Sequence, residues 1–439
     1  MKNTPIEKEI VDEKVRESRL PDVGKASIRE IRSLINSIER ASGKKYIRME
    51  MGVPGLPANK IGIEAEIKAL HDGCASVYPS IEGIPELKEE ISRFLKLFLN
   101  VSVPGHCCIP VTGSTSGSFV CWLTAGRMRK DRDTVLFLDP GFPVHKQQIK
   151  GLGLKQESLD VYNYRGDALR AKLESILSQG NISAVLYSNP NNPSWICFKE
   201  EELRIIGELA TKYDVIILED LAYFTMDFRK DYSVPGHPPY QPSVSHFTDN
   251  YILLISSSKV FSYAGQRIGI VAISEKLFES EYPDLTRFYT RPHFGHSFVY
   301  GAAYGVSAGV THSTQYGMAA MLKAINDGTY KYRDDIIVYG QRANVVKRVF
   351  IDNGFHIVYD TDVDEPIADG FYFTVAYPGL DGEQLLREFL YYGISAISLS
   401  NTGSQRREGI RACVSFIADN DVPELDRRLK LFRENHPVA

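Results

Sequence analysis

A chain of 439 residues, 43% apolar and 24% charged, holds more material than one small core uses, so a large folded domain with a smaller companion is expected and disorder is not. Its formal charge of −4, with no long block of Lys or Arg, gives no electrostatic reason to bind nucleic acid or an anionic membrane and points to a small-molecule ligand. The six cysteines (Cys74, Cys107, Cys108, Cys121, Cys197, Cys413) lack C-x-x-C spacing and the density of a disulfide scaffold, and read as buried thiols.

The start, MKNTPIEKEIVDEKVRE, is charged where a signal peptide needs an apolar centre, and no run reaches the ~18 apolar residues of a membrane span. A cytoplasmic protein is expected. Ser27 and Glu30 have capping-box spacing, and Ile28, Ile31, Leu34, Ile35 and Ile38 keep a helical period up to Gly43. After the Gly/Pro-punctuated loop MGVPGLPA (51–58), PELKEEISRFLKLF (85–98) predicts a second amphipathic helix. Four nearly continuous apolar runs of strand length follow: TVLFLD (134–139), AVLYSN (184–189), VIILED (215–220) and YILLIS (251–256). Runs without alternation mean burial on both faces, as in a parallel sheet between helices, and helical stretches such as 199–213 give a βαβ rhythm.

The Pro-rich insert VPGHPPYQP (234–242) predicts a surface loop, and the Gly/Ala-rich run FVYGAAYGVSAGV (298–310) a closely packed internal helix. From about Tyr330 the pattern changes to a long polar helix, then GFYFTVAY (370–377), a helix over 382–392 stopped by Gly393, GIRACVSF (409–416) and a final charged helix. That order suits a small α+β domain. The expected fold class is α/β, a mostly parallel sheet sandwiched by helices, with 60–325 as the large domain and 1–59 with 326–439 as the small one.

Each strand run ends in polar or turn-forming residues, and ligands of open α/β sheets bind beyond the carboxyl ends of the strands. Lys259 follows the fourth run inside a serine cluster, where partial desolvation makes an amine nucleophilic, and Arg267 farther on suits a phosphate dianion. Asp220 ends the third run, with its neighbour Glu219 expected on the opposite face. VTGSTSG (111–117) leads into an apolar helix, so the N–H groups of Ser114 and Thr115 lie at a helix N-terminus suited to phosphate, although the same residues also make a plain turn. Neither G-x-x-x-x-G-K-[ST] nor G-x-G-x-x-G occurs, which weakens ATP and NAD readings. His145, His293 and His296 could line a cleft, but no H-x-x-x-H or Cys/His spacing suggests a metal.

VTGSTSG, NPNNPS (189–194), LEDLAY (218–223) and SSSKVFSYAGQRIG (256–269) resemble the class I/II, fold-type I, pyridoxal 5'-phosphate (PLP)-dependent aminotransferases, over a stretch from Gly52 to Arg411. The resemblance implies PLP as cofactor, carried by Lys259 as an internal aldimine, with Lys259 also shuttling the substrate Cα proton. It implies that Ser114, Thr115, Ser256, Ser258 and Arg267 hold the phosphate and that Asp220 pairs with the pyridine nitrogen. Tyr223 and Asn192 then bond the phenolic oxygen, and Phe142 covers the pyridine face. Arg411 resembles the arginine that binds the substrate α-carboxylate, although two extra residues separate it from Ser415 and Phe416 where many relatives read R-x-S-F. Gly52 lies over the substrate entrance, with Asn192 beside it.

Tyr78, in YPSIEGIPEL, matches a tyrosine that reaches the phosphate of the neighbouring subunit, which implies a homodimer. Arg291 stands roughly where dicarboxylate-specific relatives keep a second arginine, or is structural. Trp195 replaces the glycine of N-P-T-G, which leaves open the path of the loop after Asn192. The implied activity is transfer of an amino group from an amino acid to a 2-oxo acid. A C–S lyase or decarboxylase on the same fold is the alternative. A ligand-sensing regulator is more remote, since no basic helix-turn-helix precedes Met51. Neither nucleic acid nor membrane is an expected partner.

Overall fold

The computed structural model describes residues 4–438; the outermost ends of the expected small domain, residues 1–3 and 439, lie outside the described residues. The central sheet has seven strands: β1 (Cys108–Val111), β2 (Thr134–Asp139), β3 (Lys155–Asp160), β4 (Ile182–Ser188), β5 (Ile216–Leu221), β6 (Tyr251–Ser256) and β7 (Gly269–Ile273). Their spatial order is β1-β7-β6-β5-β4-β2-β3. The pairs from β6 through β3 are parallel, and β7 runs antiparallel to both of its neighbours.

The four apolar runs are the middle of this sheet, and strand alternation sorts them onto its two faces. Leu136, Leu138, Val185, Tyr187, Ile217, Leu253 and Ile255 join one core, with the helices Pro85–Leu99 and Glu200–Tyr213. Val135, Phe137, Ala184, Leu186, Ile216, Leu218, Ile252 and Leu254 join the other, with the helix Ser114–Thr124 and the segment around Phe298. At ~1.5–3 kcal/mol for each large apolar side chain taken out of water, a run buried on both faces contributes at every position. The result is the expected α/β class.

A third core joins the N-terminal stretch to the C-terminal one, from Ile6 to Met49 and from Ala343 to Phe432. Its first large element is the helix Ile28–Ser42, which starts with the Ser27/Glu30 capping box, buries Ile31, Leu34, Ile35 and Ile38, and stops at Gly43 with φ 66. Four strands complete it: β8 (His356–Ile357), β9 (Tyr372–Ala376), β10 (Ile397–Ser398) and β11 (Gly409–Cys413), in the order β10-β11-β9-β8. β9 faces both ways. Phe373 and Val375 enter the third core, while Tyr372 and Ala376 enter the first. The helix Tyr332–Asp352 likewise spans the two, with Tyr332, Ile336 and Tyr339 in the first core and Ala343, Val346 and Phe350 in the third.

The hairpin formed by Thr361–Asp362 and Glu365–Pro366 is tied to the central layer by buried charges. Asp362, fully buried, pairs with Arg165 and with Arg229 at 2.8 Å each; Arg165 also meets Glu202 at 2.7 Å and Arg229 meets Asp227 at 2.8 Å.

The run 298–310 differs from expectation. Ser297–Ala303 winds as a π-helix with Phe298, Val299, Ala302 and Ala303 buried, but the following turn, Tyr304–Ser307, ends at Ala308 with φ 50 and leaves Tyr304 54% exposed. The first half is largely internal, Tyr304 to Ala308 is exposed where the chain leaves the sheet face after Ala303, and Val310 is buried again. The Pro-rich 234–242 segment is a surface loop, held to the helix Pro85–Leu99 through Gly236 N–H to Leu97 O and Gln241 N–H to Phe98 O, both 2.9 Å. Among the described residues no helix is long and apolar enough to cross a membrane.

Candidate active site

The candidate residues of the central layer gather where strands end along one sheet edge. β1 ends at Val111, and Gly113, with φ 82, turns the chain into the helix Ser114–Thr124. An α-helix leaves its first N–H groups without intrahelical partners, here those of Ser114 and Thr115. β7 begins at Gly269 opposite Ser256 in register, which brings Ser256, Ser258 and Arg267 to the same place. A Cβ on Gly269 would lie 2.9 Å from Ser114 N, and one on Gly113 would overlap the Arg267 guanidinium. Glycine at both positions lets two backbones and a cation converge. Ser256 Oγ accepts from Ser258 N–H at 3.1 Å, and the exposed Arg267, held at φ 52, donates to Ala264 O at 3.0 Å. Helix N-terminus, hydroxyls and guanidinium together make a donor set for an anion.

Lys259 follows β6. Its Nζ donates to the Gly52 carbonyl oxygen and stands 5.6 Å from the centre of the Phe371 ring. Burial pulls the amine down from 10.5 to about 8; Cys413 partly opposes this, and the Arg411 and Arg267 charges add to it. An amine so lowered is partly unprotonated near neutral pH, the form that attacks an aldehyde.

Asp220 is the second-last residue of β5, buried, its Oδ1 accepting from Ala222 N–H at 3.1 Å. Its Oδ2 is 3.5 Å from His145 Nε2, which makes no hydrogen bond among the described residues, while His145 Nδ1 meets Ser118 Oγ at 3.1 Å. Phe142 presents its ring edge-on to this imidazole at 5.6 Å between centroids. Glu219 faces the other side, as expected, and takes hydrogen bonds from Ser243 Oγ at 2.5 Å and Val244 N–H at 3.2 Å; burial lifts its carboxyl to about 7.

The facing wall comes from the third core's strands. Arg411, on β11, is 3% exposed and donates from Nη1 to Asn192 Oδ1 at 3.2 Å and from Nη2 to Glu50 O at 2.6 Å. Its guanidinium carbon stands 4.5 Å over the Tyr372 ring. The Tyr372 hydroxyl is 2.7 Å from that of Tyr223, and a Cβ on Gly52 would overlap it. Burial, followed by the neighbouring Tyr372, raises the Tyr223 phenol well above its ordinary value.

The loop after Asn192 takes a definite path. Trp195 sits in the left-handed region at φ 65, donates its N–H to Asn191 O at 3.0 Å, and is fully buried. Its indole packs edge-on against Tyr223 at 5.3 Å and Tyr372 at 6.1 Å. A bulky side chain at this φ costs about 1–3 kcal/mol that the surroundings must offset.

Lys259, Asp220, Asn192, Tyr223, Arg411, Gly52 and the phosphate-type cradle are thus brought together. Two candidates are not. Tyr78 is 92% exposed. Arg291 is exposed on a segment anchored by Tyr289 Oη to Leu123 O at 2.9 Å, near the C-terminal end of the helix whose N-terminus forms the cradle. Sequence reading missed Tyr372, which appeared only as part of a strand, and left His145 undecided among three histidines. The surroundings fit PLP: an anion cradle, a buried carboxylate, an amine near neutrality, and two buried polar atoms, His145 Nε2 and Arg411 Nε, without partners among the described residues.

Residues 45–329 match the family model described as aminotransferase class I and II. The chain is 29% identical over 351 residues to a probable aspartate aminotransferase of Methanocaldococcus jannaschii, covering 78% of this chain and 84% of that one. It is 25% identical over 325 residues to the LL-diaminopimelate aminotransferase of Natranaerobius thermophilus, with 73% and 76% covered. In fold it is similar to an alanine aminotransferase from Pyrococcus furiosus, with a TM-score of 0.74 at 18% identity over 94% of this chain and 98% of that one.

Proposed function

The chain belongs to the class I and II aminotransferase family, and from that premise we propose that Lys259 carries its PLP and that Arg411 seats the α-carboxylate of an amino acid whose nitrogen passes to a 2-oxo acid. Transamination with PLP is the activity of the family and of the relatives it matches, and the lyase reading is set aside because those relatives are named transaminases. The observation that carries the residue assignments is the convergence of a desolvated amine, a buried carboxylate and a buried guanidinium on one cleft.

When bound, PLP supplies an electrophilic aldehyde and a ring that accepts the electron pair left when a Cα proton departs. Ser114, Thr115, Ser256, Ser258 and Arg267 would hold its phosphate, Phe142 and His145 its ring, Asp220 its pyridine nitrogen, and Tyr223 with Asn192 its phenolic oxygen. Lys259 Nζ, once released from the cofactor by the incoming amino group, would take up the proton leaving the substrate Cα and hold it for return. Arg411 holds the carboxylate in a two-pronged contact that fixes which Cα bond faces Lys259. Gly52, having no side chain, leaves the entrance open above the Tyr372 hydroxyl.

The same proposal includes a division into a large domain, 60–325, and a small one from the two ends, supported by the separate third core. It includes a homodimer, supported by an exposed apolar group. Val77 and Tyr78 are 60% and 92% exposed, and Pro79 abuts Gly309 next to the exposed Tyr304 and Val306. A cytoplasmic location, where such polar substrates are dissolved, completes it.

The test uses purified protein with PLP. Visible absorbance should appear, borohydride should fix the cofactor to the peptide containing Lys259, and Lys259→Ala should lose both. Aspartate is the first donor to try, since the Methanocaldococcus jannaschii relative carries that name. Bleaching of the band by an amino donor, reversed by a 2-oxo acid, supports transfer. A Lys259→Ala protein that still traps cofactor with borohydride removes the assignment.

A further inference from the structure

We propose that Trp195 is a positioning residue for the reaction: its indole, seated in the space left by Gly370, holds the Tyr223–Tyr372 hydroxyl pair and, through Tyr372, the face on which Arg411 rests. The inference deepens the reading above, since it rests on Tyr223 bonding the cofactor and Arg411 bonding the substrate.

Three observations meet here. The loop places the largest side chain at a backbone conformation that glycine adopts freely and tryptophan does not, φ 65. The opposite wall is cut to match, because a Cβ on Gly370 would overlap the indole atoms Cε2, Cζ2 and Nε1. Finally, the indole's aromatic contacts are on the working side of the cleft: it packs edge-on against Tyr223 and Tyr372, and those two rings stand 5.4 Å apart at 74° with their hydroxyls bonded. Three aromatic rings in mutual edge contact leave each hydroxyl little freedom.

Tyr372 is the member that touches both halves of the chemistry. If Tyr223 gives its hydroxyl proton to the cofactor's phenolic oxygen, the Tyr372 hydroxyl must donate to Tyr223, which makes Tyr223 the better donor. The same Tyr372 ring supports the Arg411 guanidinium at 4.5 Å. The titratable and charged groups facing Tyr223 are Tyr372, Arg411 and Cys413. Loosening the indole therefore alters two readouts together. The Tyr223 hydroxyl becomes a weaker donor to the cofactor oxygen, so the pH midpoint of the visible band rises, and the carboxylate clamp loses its backing, so KM for the amino donor rises more than kcat falls.

The experiment compares holoenzyme carrying Trp195→Gly, Trp195→Phe and Tyr372→Phe with the unaltered protein, by pH titration of the visible band and by steady-state kinetics. Trp195→Gly is expected to raise the midpoint by about half a pH unit or more and KM by roughly tenfold. Trp195→Phe keeps a ring in place and shows the same changes at smaller size; it decides the matter if the glycine variant does not fold. Tyr372→Phe removes one hydroxyl without altering packing and shifts the midpoint in the same direction. A midpoint and KM unmoved in the folded Trp195 variants, whatever their thermal stability, overturn the proposal and leave Trp195 as core filling. Should the unaltered protein give no visible band with PLP, the assignment of Lys259 fails first and this inference with it.

Discussion

Replacing Lys259 by methionine should make the cofactor-free protein more stable at pH 7. The side chains are close in length, so packing is nearly conserved, and the difference is an amine largely withdrawn from water in a half-buried side chain. Its fall from 10.5 to about 8 corresponds to roughly 3 kcal/mol of unfavourable charge burial in the folded chain. Below about pH 8 both folded and unfolded chains hold the proton, and that whole penalty acts on the folded one. Between about 8 and 10.5 the unfolded chain binds more protons than the folded chain, so stability rises with pH across this window. Above 10.5 the penalty is gone. The variant also loses the hydrogen bond that the charged amine makes to Gly52 O, about 2 kcal/mol, which leaves a net gain of about 1 kcal/mol at pH 7. Urea unfolding of the two cofactor-free proteins at pH 7 and at a pH above 10.5 measures it. The expected pattern is a higher midpoint for Lys259→Met at pH 7 and an equal or lower one at the alkaline pH. A gain of the same size at both, or a loss at pH 7, refutes the idea that this amine is desolvated.

Other changes follow from the same cleft. Arg411→Lys keeps the charge but cannot reach both Asn192 Oδ1 and Glu50 O while offering two prongs. At about 1.5–3 kcal/mol for each charge-assisted bond, kcat/KM for the donor should drop by roughly a hundredfold, and a change under threefold argues against the clamp. Asp220→Asn retains a group that can accept from Ala222 N–H but not the negative charge. Turnover should fall by about two orders of magnitude with cofactor still bound, and near-normal turnover would contradict its pairing with the pyridine nitrogen. Sedimentation should give twice the mass of the chain, and Tyr78→Phe should weaken PLP affinity several-fold; a monomer of full activity removes Tyr78 from the site.

What the sequence reveals here is set by burial. The four middle strands were legible because both their faces are covered, which writes an unbroken apolar run. β3, with the sequence KQESLD, buries only Leu159 and Asp160 and was not legible. β1, CIPV, carries Pro110, which an edge strand tolerates and a central one does not. Lys259, Asp220 and Asn192 could be placed because strand ends anchor them. Tyr372 could not. Its role in the site comes from pairing β9 with β11, residues distant along the chain, and from the side of β9 that meets the central layer. Trp195 was visible as an unusual letter, but its left-handed backbone and its fit against Gly370 exist only once two remote segments meet.

The hairpin at Thr361–Pro366 bears on how the protein can move. Asp362 is clasped by Arg165 and Arg229, each with a further carboxylate of its own, and breaking a buried pair of this kind costs about 3–5 kcal/mol. Sliding the C-terminal layer over the sheet would break both of these pairs together, whereas swivelling about the hairpin breaks neither. Any opening of the cleft would thereby be steered toward rotation about this clasp, and since interior charges are little affected by dissolved ions, the clasp should hold in brine as firmly as in dilute buffer.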